Sequence, residues 1–138
     1  MIPEQGKGIK QQNKLEDLVN FIGFVRYDIL PEYLWASDIF IRPSISEGMG
    51  ISFIEAMAVG LPVIATSVGG IVDFLLNGET GLFCETHNPE SIARQVKRLI
   101  DEPALRQKIV ENARKMVEEK YDWDLIAQEM KSRVFGKI

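Results

Sequence analysis

Four short runs of apolar, β-branched and aromatic residues are spaced along this chain, with helical patterns between them. They are Leu18 to Val25, Asp38 to Arg42, Pro62 to Thr66 and Thr80 to Cys84. Runs that are apolar at nearly every position fit strands buried on both faces, as in a parallel sheet. Between the first two runs, Asp28 is placed to cap a helix through Tyr33, Leu34 and Trp35, with Pro31 in its first turn. Ile51 to Val59 reads as a helix stopped by Gly60 and Pro62, and Gly69-Gly70 opens another through Leu76. After Asn88 the strand signals stop. Asn88 caps a helix that begins at Pro89 and carries an apolar stripe of Ile92, Val96, Leu99 and Ile100. Asp101-Glu102-Pro103 breaks it, and a second helix carries Leu105, Ile109, Ala113, Met116 and Val117. A third is expected near Tyr121-Asp122-Trp123, carrying Leu125, Ile126 and Met130. The expected fold is α/β: a Rossmann-like parallel sheet of about four strands, with helices on both faces and a helical C-terminal tail. Trp35 and Trp123 fall on amphipathic faces and read as core. Residues 1–14 read as a flexible, polar lead-in, and 15–138 as one domain.

Composition narrows the function classes. The 138 residues suit one ordinary domain, and 46% apolar with 26% charged residues is usual for a soluble protein. No run of 18 apolar residues and no signal-peptide pattern is present. The single Cys84 forms no internal disulfide, so a cytoplasmic setting is expected. A net charge of −4 argues against a nucleic-acid partner. The charge is unevenly spread. From Leu15 to His87 there are ten acidic residues against two basic ones, Arg26 and Arg42. His87 reads as a surface-loop residue, Cys84 as a packing residue, and no metal-ligand spacing occurs.

Ligands of open parallel sheets bind beyond the carboxyl ends of the strands. The loop after the second strand is the most informative of these ends. It runs Arg42-Pro43-Ser44-Ile45-Ser46-Glu47-Gly48-Met49-Gly50-Ile51 and enters a helix holding Glu55. Gly48 and Gly50 let backbone approach a ligand, and the helix start offers N–H groups to an anion such as a diphosphate. A turn that simply needs glycine has the same appearance. Glu55 lies among apolar neighbours, where a carboxylate needs hydrogen-bond donors such as a ribose diol, unless it occupies the helix's one wet stripe. Glu47 lies eight residues before it, at the mouth of the loop. Two carboxylates at such a mouth also suit a hydrolase acid/base pair. Ser44 and Ser46 have no triad context and suit hydrogen bonding within the loop.

Glu47-x7-Glu55 sits within Pro43-Ser44…Glu47-Gly48-Met49-Gly50…Glu55-Ala56-Met57-Ala58…Gly60-x-Pro62-Val63-Ile64-Ala65-Thr66…Gly69-Gly70. This ordered set resembles the retaining glycosyltransferases of family 4, the group 1 glycosyl transferases of GT-B architecture. Gly23-Phe24-Val25, Asn77-Gly78-x-x-Gly81 and Tyr121-Asp122-Trp123 extend the resemblance over about Val19 to Phe135. It implies a donor domain for a nucleotide-activated sugar, UDP-, GDP- or ADP-linked, that transfers a hexosyl group with retention and without an essential metal or other cofactor. Glu47 would face the donor sugar as the catalytic residue, and Glu55 would hold the ribose. Ser46, Gly48, Met49, Gly50 and Ile51 would line the sugar and diphosphate, and Gly23, Phe24 and Val25 the base. Met49 stands where an aromatic is more usual, and Asp73 where Glu is.

The resemblance also implies features absent from these residues. The family's donor domain begins with two further β–α units carrying an Arg/Lys pair for the diphosphate, and an acceptor domain precedes it. The expectation is a domain truncated on its N-terminal side. Its partner is then a missing N-terminal acceptor domain or a separate chain that carries it, and any membrane contact runs through that part. The strand order 3-2-1-4-5-6 would leave an open edge on the second strand, inviting self-association. A non-catalytic binding or interaction module fits the same residues. A dinucleotide-binding domain is disfavoured, since no Gly-x-Gly-x-x-Gly follows the first strand.

Overall fold

The computed structural model describes Leu15, residues 17–122 and Asp124. The chain divides into two compact units, Met1–Tyr33 and Leu34–Ile138. The lead-in at 1–14, the side chain of Trp123 and the helix expected over Leu125 to Met130 lie outside the described residues.

The described elements are α1 (Leu30–Trp35), β1 (Phe40–Arg42), α2 (Ile51–Ala58), β2 (Val63–Thr66), a 3-10 helix (Gly69–Asp73), β3 (Leu82–Cys84), α3 (Pro89–Asp101) and α4 (Pro103–Lys120). The strands form one parallel sheet in the order β1-β2-β3. Phe40 registers with Val63 and Ile64 with Leu82, so the chain order is also the spatial order. Each crossover passes through helical structure, as parallel strands require.

Central β2 explains the layering. All four of its residues are buried, and successive side chains point to opposite faces. Val63 and Ala65 enter a cluster with Phe53, Ala56 and Met57 of α2, Ile71, Phe74, and Ala113 and Val117 of α4. Ile64 enters the other cluster, with Leu82, Cys84, Leu99 of α3 and Ile109 of α4. Helices therefore cover both faces, as the near-continuous apolar runs imply. Aromatic contacts tie the first cluster together: Phe53 meets Phe40 edge-on at 5.5 Å and Phe74 at 6.2 Å, and Phe74 meets Tyr121 at 6.4 Å.

Helix ends follow local chemistry. The Asn88 side chain accepts from Ser91 N at 3.0 Å, with Pro89 opening α3. Glu102 separates α3 from α4, which begins at Pro103. Gly60, at φ 87°, turns the chain after α2 toward β2.

Several expectations are corrected. The run Leu18 to Val25 forms no strand; three of the four expected strands are present among the described residues. Phe24 is 89% exposed and Ile22 55%, and an extended segment without a ladder partner gains nothing from β geometry. Asp28 does not cap α1: the helix begins at Leu30, whose N–H donates to the Arg26 carbonyl at 3.1 Å, and the Asp28 carboxylate pairs instead with Arg26 Nε at 3.0 Å. The helix after Gly69-Gly70 is a 3-10 turn that ends at Asp73 rather than Leu76. Trp35 is 77% exposed and is not core. Ile100 is 64% exposed: Leu99 completes the stripe of α3, and the next residue is turned about 100° away.

Candidate functional site

The site builds from the end of β1. Strand alternation puts Phe40 and Arg42 on the same face, toward α2. The Arg42 guanidinium lies over the Phe53 ring, 5.7 Å from its centroid. Its Nη1 donates to Ser52 Oγ at 2.8 Å, and its Nη2 meets Glu47 Oε2 at 3.1 Å. Ser44 Oγ donates to the same Glu47 oxygen at 3.0 Å. Glu47 is thereby held by a cation and a hydroxyl, with its side chain only 14% exposed.

The loop's backbone is pinned from below. The Thr66 hydroxyl, at the end of β2, donates to the Ser44 carbonyl. Gly70 N donates to Gly48 O at 3.1 Å. A Cβ on Gly69 would fall 1.8 Å from Glu47 O, and one on Gly70 2.6 Å from Gly48 O. Gly69 also has φ 54°. The Gly69-Gly70 pair therefore lets the chain press directly on the peptides of Glu47 and Gly48.

Gly50 is the residue before α2, in left-handed conformation at φ 69°. A Cβ there would meet the Phe53 ring at 2.7 Å. No side chain among the described residues caps this helix; Phe53 N donates to the Gly50 carbonyl at 3.0 Å, and the earlier N–H groups of the first turn have no side-chain acceptor. Gly48 is different. It has no positive φ, and a Cβ on it would meet nothing within 4 Å. The protein's own packing does not require glycine at that position.

The remaining expected residues are placed as follows. Ser46 is exposed, and Met49 and Ile51 are exposed apolar side chains at the loop and the start of α2. Glu55 lies on α2, half-buried, with no partner for its carboxylate among the described residues. Gly23, Phe24 and Val25 belong to the first unit, where Gly23 adopts φ 77° and Phe24 is exposed. Among the described residues no three His, Cys, Asp or Glu side chains form a metal-ligand group. No helix among them is long and apolar enough to cross a membrane. Burial pushes the Cys84 thiol pKa up, against a smaller opposing effect of a backbone hydrogen bond.

Arg42 is the residue that sequence reasoning passed over. In the sequence it stands out only as one of two basic residues between Leu15 and His87. The usable signal was its position two residues after Phe40, on the same strand face, at the entrance to the loop.

The fold and this loop–helix define a class: a GT-B type α/β unit that presents an uncapped helix start and two carboxylates at the carboxyl end of a parallel strand. The sequence profile described as Glycosyl transferases group 1 matches residues 3–116, and the chain belongs to that family. An uncharacterised glycosyltransferase of Methanocaldococcus jannaschii is 42% identical over 111 residues, 80% of this chain and 28% of that protein. Sucrose-phosphate synthase from Thermosynechococcus elongatus superposes with a TM-score of 0.87 at 31% identity, over 98% of this chain and 35% of the synthase. The Anabaena protein HepE in complex with UDP-glucose gives a TM-score of 0.87 at 25% identity, over 96% of this chain and 36% of that one. This chain therefore spans about a third or less of each of these three proteins.

Proposed function

We propose that this chain is the donor-binding portion of a retaining glycosyltransferase of family 4, taking a nucleotide-activated hexose. One observation carries the reading. Gly48 has no internal reason to be glycine, and it lies between a fixed carboxylate, Glu47, and an uncapped helix start. A ligand that approaches the backbone closely supplies that reason. The N–H groups at the start of α2 suit a diphosphate, with Gly50 and Ile51 beside them. Glu47 faces the hexose. The carboxylate of Glu55, without a partner among the described residues, takes the ribose hydroxyls. Ser46 and Met49 flank the sugar. As the bond to the sugar breaks, charge develops on the leaving diphosphate. Fixed dipoles there stabilise it without reorganising.

HepE holding UDP-glucose supports a UDP-sugar, with GDP- and ADP-sugars as the other candidates. β1 pairs only with β2 among the described strands, and Ile41 is 40% exposed. A further strand at this free edge completes the sheet, contributed by an acceptor-bearing domain or chain or by a second copy. Titration with UDP, GDP and ADP and their hexose conjugates tests the donor reading. Binding by one conjugate that is lost in Glu55→Ala supports it. Absence of binding by every conjugate at millimolar concentration refutes it.

A further inference from the structure

We infer that Arg42 is a positioning residue for Glu47, setting that carboxylate toward the sugar of the donor. The inference rests on the donor-site reading and adds to it a residue from outside the Glu47–Glu55 motif. Four contacts carry it. The guanidinium is fixed on one side by the Phe53 ring at 5.7 Å and on another by Ser52 Oγ at 2.8 Å. Phe53 is fully buried, so this platform is rigid. The guanidinium then presents Nη2 to Glu47 Oε2 at 3.1 Å, where Ser44 Oγ also donates at 3.0 Å. Both contacts fall on Oε2, which leaves Oε1 without a partner among the described residues and available to a sugar hydroxyl.

Ser44 is itself placed through its carbonyl by Thr66, so the carboxylate is oriented from two strand ends at once. Arg26, the other basic residue between Leu15 and His87, is occupied by Asp28. A guanidinium suits the role because its planar fork can serve Ser52 and Glu47 together, whereas a lysine offers one point charge. Without Arg42, Glu47 keeps only the Ser44 hydroxyl and gains rotamer freedom, which weakens any contact that depends on its direction.

The test compares affinities of the full chain for UDP-glucose, GDP-mannose and ADP-glucose with those for UDP, GDP and ADP. Arg42→Ala is expected to reduce the gain in affinity due to the sugar about tenfold, with affinity for the bare nucleotide unchanged. Arg42→Lys, which keeps charge and stem and guards against a folding defect in Arg42→Ala, loses less of that gain. In a Glu47→Gln background Arg42→Ala has little further effect, because the two residues act as one unit. Wild-type binding with the sugar-dependent gain intact in both Arg42 variants overturns the positioning role and leaves the donor reading standing. Equal loss of nucleotide and nucleotide-sugar affinity in folded Arg42→Lys also overturns it, since that pattern belongs to a diphosphate contact. A wild-type chain that binds none of the six compounds overturns the donor reading and this inference with it.

Discussion

Two glycines twenty-one residues apart should both lose donor affinity on substitution by alanine, but only one of them should lose stability. In Gly69→Ala the new methyl would stand 1.8 Å from Glu47 O, and the backbone has φ 54°. A left-handed alanine costs about 1 kcal/mol. Displacing a packed peptide adds roughly 2 kcal/mol. The expected loss is about 3 kcal/mol, or a fall in Tm on the order of 10 °C for a domain of this size. The displaced atoms are the peptide of Glu47, so donor affinity falls as well. In Gly48→Ala the methyl meets nothing within 4 Å and no positive φ is violated. Stability should stay within about 0.5 kcal/mol of the original chain or rise slightly. Donor affinity should nevertheless fall at least tenfold, because the methyl occupies the approach to the loop backbone. Urea unfolding followed by circular dichroism gives the first quantity and nucleotide-sugar titration the second. Equal destabilisation by the two substitutions, or full donor affinity in Gly48→Ala, would refute the reasoning that separates a structural glycine from a ligand-facing one.

Further outcomes follow from individual contacts. Phe53→Ala empties a fully buried site between Phe40, Phe74 and Arg42, and should cost roughly 3–5 kcal/mol in chemical denaturation. Asn88→Ala removes the side chain that accepts from Ser91 N, and should lower stability by about 1 kcal/mol in the same assay. Cys84 is buried with its thiol pKa raised, so its modification by a thiol-specific disulfide reagent near neutral pH should be slow until the chain unfolds. The same shift sets a sign. The unfolded thiol ionises at lower pH than the folded one, so this contribution to stability is complete below the unfolded value. It fades as pH rises through the folded one, which unfolding curves through the alkaline range would reveal.

How much was legible beforehand depended on the range of the interaction. Asn88-Pro89, Gly60 and Pro103 announce helix boundaries because a cap, a left-handed turn and a missing N–H act within a few residues. The apolar runs at β2 and β3 announce a parallel sheet, because strands covered on both faces have little room for polar residues, whereas β1 at the edge ends in the exposed Arg42. The same pattern at Leu18 to Val25 gave no strand. Composition reports that a segment suits a strand; only a neighbouring ladder makes it one. Trp35 and Ile100 were misplaced for a related reason, since an amphipathic pattern names candidates for burial and the packing partners choose among them.

For the candidate site, the sequence by itself determined the loop, the helix behind it, and the presence and order of Glu47, Gly48, Gly50 and Glu55. Only the tertiary structure decided what holds them. Arg42 reaches Glu47 because β1 directs it over Phe53, and Gly69-Gly70 touches the Glu47 peptide because parallel pairing brings the end of β2 beside that of β1. The Gly69–Glu47 contact joins residues far apart in the chain, and the nearer Arg42–Glu47 pair meets through the turn of the loop between them. Their energies arise from distance and direction in space, which periodicity and propensity do not encode.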